Sequence, residues 1–109
     1  MLDEIQISYM KIIEDNIQRL KELCHKYKVK TLYVFGSALT DKFSSESDVD
    51  LLVDFNSEID HTNYTDNFFD FYYSLRNLFN REVDLVDESA IQNKYFRSEV
   101  DNTKYLIYG

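Results

Sequence analysis

The chain has 109 residues, 44% of them hydrophobic, which bounds it to one domain with a modest core. Its 20 acidic and 12 basic residues leave a formal net charge of −8, which works against nucleic-acid binding by counterion release. A lone Cys24 excludes an internal disulfide, no Cys/His cluster has metal-ligand spacing, and no apolar run approaches the length of a membrane span.

In chain order, Met10, Ile13, Ile17, Leu20, Cys24 and Tyr27 recur at spacings of three and four, which predicts one long amphipathic helix within residues 1–28. Thr31-Leu32-Tyr33-Val34-Phe35 is β-branched and aromatic, as a buried strand should be, and it stops at Gly36. From Ser37 to about Lys42 the chain reads as one short helical turn. Its first amides have no intrahelical partners, so they and the Ser37 hydroxyl can point at a phosphate.

Residues 48–55 form the next predicted strand, with Val49, Leu51, Val53 and Phe55 on one face and Asp48, Asp50, Leu52 and Asp54 on the other. Residues 60–63 are a polar turn, after which Tyr64, Phe68, Phe71, Tyr72, Leu75, Leu78 and Phe79 repeat at helical spacing. A strand follows around Val83-Asp84-Leu85-Val86, with Val83 and Leu85 facing one way and Asp84 the other. Asp87-Glu88-Ser89 can open a third helix that carries Ile91, Tyr95, Phe96 and Val100. The expected fold class is α/β, a small mixed β-sheet with helices packed on one face and the carboxylate face open for substrate.

The chemistry concentrates on Asp48 and Asp50, which project together from one strand face. Two carboxylates about 4 Å apart repel by roughly 4 kcal/mol at an effective dielectric of about 20, so a cation between them relieves a real strain. Magnesium prefers one or two carboxylates plus the oxygens of a substrate phosphate, which suits an acidic pair facing a phosphate-sized turn. If the strand around Asp84 lies beside residues 48–55, a metal triad of Asp48, Asp50 and Asp84 results. Such a triad supports in-line nucleotidyl transfer, with Asp84 as the ligand or base nearest the attacking hydroxyl.

Taken alone, Gly36-Ser37 is an ordinary turn, and its value comes from the partner motif. The aromatic stripe of Tyr64, Phe68, Phe71 and Tyr72 reads as core rather than an adenine platform. His25 and His61 stand isolated near predicted helix ends and receive no role. Asp54 reads as a rim charge, and Arg81 and Arg97 are minor candidates for phosphate contact.

Gly36-Ser37, Asp48-Val49-Asp50 followed by Leu51-Leu52-Val53-Asp54-Phe55, and Val83-Asp84-Leu85-Val86 together resemble the signature of the DNA polymerase beta-like nucleotidyltransferases. The minimal nucleotidyltransferase (MNT) branch matches best, over a core of residues 30–108 that ends in the aromatic Tyr105-Leu106-Ile107-Tyr108. The resemblance implies a nucleotidyltransferase fold and an antitoxin that moves AMP from Mg-ATP onto a tyrosine hydroxyl of a helical HEPN-domain toxin. By the same resemblance, Gly36 and Ser37 hold the triphosphate, and Asp48, Asp50 and Asp84 hold Mg2+. Many relatives carry an arginine shortly after Gly-Ser, where this chain has Ala38-Leu39-Thr40-Asp41-Lys42. Lys42 is the candidate substitute, and Asp41 beside it adds negative charge where a triphosphate approaches.

A transferase this small has no second domain to bind an acceptor, which favours a protein acceptor presented in trans and a hetero-oligomeric complex. The acidic surface suits a basic partner, and nucleic acid is not expected as one. Met1-Leu2-Asp3-Glu4 lacks the basic and apolar segments of a secretion signal, so cytoplasmic residence is the expectation. Two other readings remain open: a domain that neutralises its partner by binding only, and a transferase acting on a small molecule or RNA.

Overall fold

The computed structural model describes residues 11–35, 48–60 and 62–109. Within them lie helix α1 (Ile17–Lys26), strands β1 (Val29–Val34) and β2 (Val49–Phe55), helix α2 (Tyr64–Phe79), strand β3 (Val83–Asp87), helix α3 (Lys94–Thr103) and strand β4 (Tyr105–Tyr108). The strands form one sheet in the order β3-β2-β1-β4. β1 is antiparallel to β2 and to β4, whereas β2 and β3 run parallel, so the sheet is mixed. Parallel neighbours require a crossover, and α2 supplies it between β2 and β3.

The main core lies between the sheet and the pair α1 and α2. Leu20 and Cys24 of α1 and Phe71, Leu75 and Phe79 of α2 meet Leu32 and Val34 of β1, Val49, Leu51 and Val53 of β2, and Val83 and Leu85 of β3. Period-two alternation delivers the strand residues to one face, and the i, i+4 spacing of Phe71, Leu75 and Phe79 delivers the helix residues. Phe55 knits the aromatics together, with ring centroids 5.6 Å from Tyr64, 6.2 Å from Phe68 and 6.0 Å from Phe71. The aromatic stripe is therefore core, as its spacing suggests. Burial pushes the Cys24 thiol up to about 12, so it stays neutral in the folded chain.

In four places the elements differ from the sequence pattern. Residues 11–15 are helical, but the turn at Asn16 separates them from α1. The Asn16 side chain donates to the Ile12 carbonyl at 2.8 Å and its backbone N–H to the Ile13 carbonyl at 3.1 Å, so local hydrogen bonds compete with the helix ladder there. Met10 lies outside the described residues. The third helix does not open at Asp87: that carboxylate caps only the short turn Glu88–Ala90, and Ile91 is extended. Asn93 starts α3 instead, its side chain accepting the Tyr95 and Phe96 amides at 2.9 and 3.1 Å.

The third difference bears on the site. α1 and α2 share one face of the sheet as expected, but α3 packs on the other: Val100 is fully buried with Leu52 and Phe35, and Phe96, Ile91, Tyr33 and Val86 close around them. Leu52 shares a strand face with Asp50, and an apolar residue at that position must be covered. β4, absent from the sequence reading, then returns from α3 to pair along β1, with Tyr33 opposite Leu106 and Val34 opposite Tyr105.

Candidate active site

The carboxylates lie where β2 and β3 begin. In the parallel ladder Asp50 stands opposite Asp84, and Leu52 opposite Val86 two residues further on. Strands in a sheet are about 4.8 Å apart, so the two aspartates leave the same face as immediate neighbours. Asp84 is exposed and Asp50 half-buried. Asp48, one residue before β2 and in phase with Asp50, is exposed at the outer end of the pair. α3 packs over Leu52 and Val86 on this face, two residues further along the strands than Asp50 and Asp84, so it walls the site on one side.

Backbone bonds fix the register. The Val49 amide donates to the Glu82 carbonyl at 3.0 Å, locking the start of β2 to the residue before β3. The Phe35 amide donates to the Asp50 carbonyl at 3.1 Å, which pins the end of β1 directly beside Asp50. Phe35 is also held through its ring, edge-on to Phe96 at 5.9 Å and 76°. Gly36 follows Phe35 immediately in the chain, so the residue leading into the Gly-Ser pair is anchored next to a carboxylate. Gly36, Ser37 and Lys42 themselves, with the intervening Ala38, Leu39, Thr40 and Asp41, lie outside the described residues, as does His61.

Asp50 and Asp84 are thus brought together by register, with Asp48 at the edge of the pair. Among the described residues, no three His, Cys, Asp or Glu side chains already stand as a group that could hold a metal. The donor chemistry is nevertheless that of a hard cation: all three candidates are carboxylates on one open sheet face.

Arg97 is a clamp rather than a phosphate arm. It donates to the Glu88 carbonyl at 2.9 Å and to the Glu88 carboxylate at 3.3 Å, and its remaining charge faces Asp101 at 3.9 Å. Arg81 lines a cleft with Tyr73, Arg76, Asn77, Asn80 and Glu82, on the side of the sheet that carries α2. Asp54 stands opposite Thr31 near the far end of β2, away from Asp50 and Asp84. The sequence reading missed Phe35 and Phe96 as positioning groups, because no spacing rule links residues that meet only after α3 folds over the sheet. It also missed that Asp84 sits on an edge strand among the described residues, with β2 as its one neighbour there.

The family model for polymerase beta nucleotidyltransferases matches residues 18–109. A protein of Methanocaldococcus jannaschii named as a candidate protein adenylyltransferase is 34% identical over 97 residues, covering 88% of this chain and 93% of that protein. A solved structure described as a candidate minimal nucleotidyltransferase superimposes with a TM-score of 0.71 at 22% identity, over 87% of this chain and 92% of the other. A chain from the complex of a tri-AMPylated Shewanella oneidensis HEPN toxin with its MNT antitoxin superimposes with a TM-score of 0.60 at 20% identity, over 88% and 71%. Among the described residues no helix is long and apolar enough to cross a membrane. With the mixed sheet, the paired aspartates on its open face and a family match that reaches across both, this chain belongs to the polymerase beta nucleotidyltransferase family.

Proposed function

We propose that this chain is a protein adenylyltransferase that moves AMP from Mg-ATP onto a tyrosine hydroxyl of a HEPN-type toxin, acting as that toxin's antitoxin in the cytoplasm. The observation that carries the reading is the register of Asp50 against Asp84 at the open end of the sheet, in a chain of this family. The similarity to a candidate adenylyltransferase, and to a complex whose toxin is AMPylated, supports AMP as the group and a protein as the acceptor.

In this reading Asp48, Asp50 and Asp84 are the carboxylates that hold Mg2+, and Gly36, Ser37 and Lys42 receive the triphosphate. The metal, when bound, neutralises the triphosphate and the charge that develops on the transferring phosphorus. The chain's own residues set the geometry. The Phe35 amide bonded to the Asp50 carbonyl keeps the end of β1 beside the carboxylates, and Phe96 packs against the Phe35 ring. Asp84 lies on edge strand β3, so an acceptor can approach it from outside the sheet. The tyrosine oxygen forms a bond to the α-phosphorus as the bond from that phosphorus to the bridging oxygen breaks. Pyrophosphate leaves, and an Asp84 carboxylate oxygen takes the phenolic proton.

Intact-mass spectrometry of a HEPN-type partner incubated with Mg-ATP tests the reading. AMP-sized additions that vanish with Asp48→Asn/Asp50→Asn are the expected result. A partner that stays unmodified yet tightly bound would instead make this chain a binding-only antitoxin.

A further inference from the structure

The outward face of α2 carries a pattern that the core does not need. Asp66, Phe69, Tyr73 and Arg76 are spaced by three, four and three residues. At 100° per residue they fall within an arc of about 80°, on the side of the helix away from Phe71, Leu75 and Phe79. Phe69 and Tyr73 are 49% and 55% exposed, two of the most exposed large apolar side chains among the described residues. Asp66 is exposed and has no ion-pair partner among the described residues.

The order acidic, aromatic, aromatic, basic has spacing that reads the same from either end of the helix. When two copies of α2 lie antiparallel about a twofold axis between Phe69 and Tyr73, Asp66 of each meets Arg76 of the other. Phe69 of each likewise meets Tyr73 of the other. A twofold interface demands this kind of self-complementarity, with one patch serving as both halves. Arg76 already reaches Glu82 at 2.5 Å, but its side chain is 39% exposed and its guanidinium has donors enough for a second carboxylate. Asp66 alone would be explained by its place in the first helical turn, where the dipole favours an acid. The dipole likewise favours Arg76 in the last turn, but it does not explain the exposed aromatic pair between them or the match in spacing.

We propose that this chain forms a twofold dimer through the outer ridge of α2, centred on Phe69 and Tyr73. The ridge lies on the helix-covered side of the sheet, so the dimer leaves both carboxylate faces turned outward and both acceptor approaches open. A single helix-to-helix contact is at the small end of interface size, and the net charge of −8 on each chain opposes association, so the dimer is reversible.

Sedimentation velocity of the purified chain at about 0.15 M salt, where the Debye length is about 8 Å, tests this independently of any transfer activity. The expected result is a concentration-dependent monomer–dimer equilibrium. Asp66→Arg and Arg76→Asp should each weaken it by about tenfold or more, because each places like charges opposite one another twice. Mixing those two variants restores both opposite-charge pairs in the heterodimer, so the mixture should associate although neither variant does so alone. That recovery also shows that both variants are folded. A wild-type chain that stays monomeric, or a dimer indifferent to both reversals, overturns the proposal, and so does a mixture that fails to associate.

Discussion

The two faces of the sheet are built from the same strands to opposite specifications. On the face under α1 and α2, Val49, Leu51 and Val53 of β2 are fully buried, and the buried part of that core is wholly apolar. On the other face the same strand presents the half-buried Asp50 and then Leu52, which α3 buries completely. β2 therefore divides stability and chemistry between alternate residues. The open end of the second face tolerates like charges side by side because the other face supplies the packing that holds the strands together.

The sharpest way to break this division is to remove a carboxylate. Asp50→Asn and Asp84→Asn should each lower transfer to a HEPN-type partner by about a hundredfold to a thousandfold, read by mass spectrometry at fixed times. In the exposed Asp84→Asn variant, relief of repulsion should leave stability unchanged or raise it by about a few tenths of a kcal/mol, read from the urea midpoint. A loss of stability in Asp84→Asn would show that this exposed side chain supports the fold, contrary to the division of labour.

Core truncations set the complementary contrast. Phe71→Ala removes a fully buried ring from the face under the helices and should destabilise by about 3–5 kcal/mol in urea unfolding. Leu52→Ala should cost about 2–5 kcal/mol and also weaken transfer, because it loosens α3 and with it the Phe96 contact that holds Phe35 beside Asp50. Equal activity per folded molecule in both variants would mean that α3 plays no part in shaping the site.

A milder probe of the same wall is Asn93→Ala, which deletes the side chain that caps α3. A loss of about 1 kcal/mol is expected, accompanied by faster hydrogen exchange at the Tyr95 and Phe96 amides that it accepts from.

Near neutral pH titration contributes least, and its effects grow only towards the alkaline and acid extremes. The folded Cys24 thiol is raised from 9.0 to about 12 by burial, so the unfolded chain loses its proton first. Its stabilising contribution is complete below 9.0 and declines as pH rises towards 12, and Cys24→Ala should flatten that alkaline limb. Asp60 behaves in the opposite sense. Hydrogen bonds, first that from Thr62 and then that from Asn63, hold its carboxyl below 3.8. Its contribution is present above 3.8 and is lost as pH falls through the lower folded value, and Asp60→Asn should remove that acid-side dependence. Urea midpoints across the two pH ranges read both.

Much of this architecture is legible in local patterns. Alternation places Val49, Leu51 and Val53 opposite Asp50, and helical spacing gathers Phe71, Leu75 and Phe79, because both follow from backbone periods of two and 3.6 residues. The breaks at Asn16 and before Lys94 were not legible. Each turns on an asparagine whose side chain outcompetes a regular backbone bond, and composition alone does not say which asparagine will do so. β4 escaped notice because Tyr105–Tyr108 is a short run, half of it exposed, whose support comes from pairing with β1 and from packing of Ile107 and Tyr108 against the distant core.

Residue order alone settled which side chains share a face, which residues could act as carboxylate ligands, and that the chain is acidic with one isolated thiol. These are properties of the backbone period and of composition, and they hold before any two elements meet. Tertiary structure decided that Asp84 pairs with Asp50, that Phe35 is anchored beside them, and that α3 crosses to the carboxylate face. Each of those depends on strand register and on which apolar stripe covers which surface, and such choices are made only when distant segments compete to bury the same side chains.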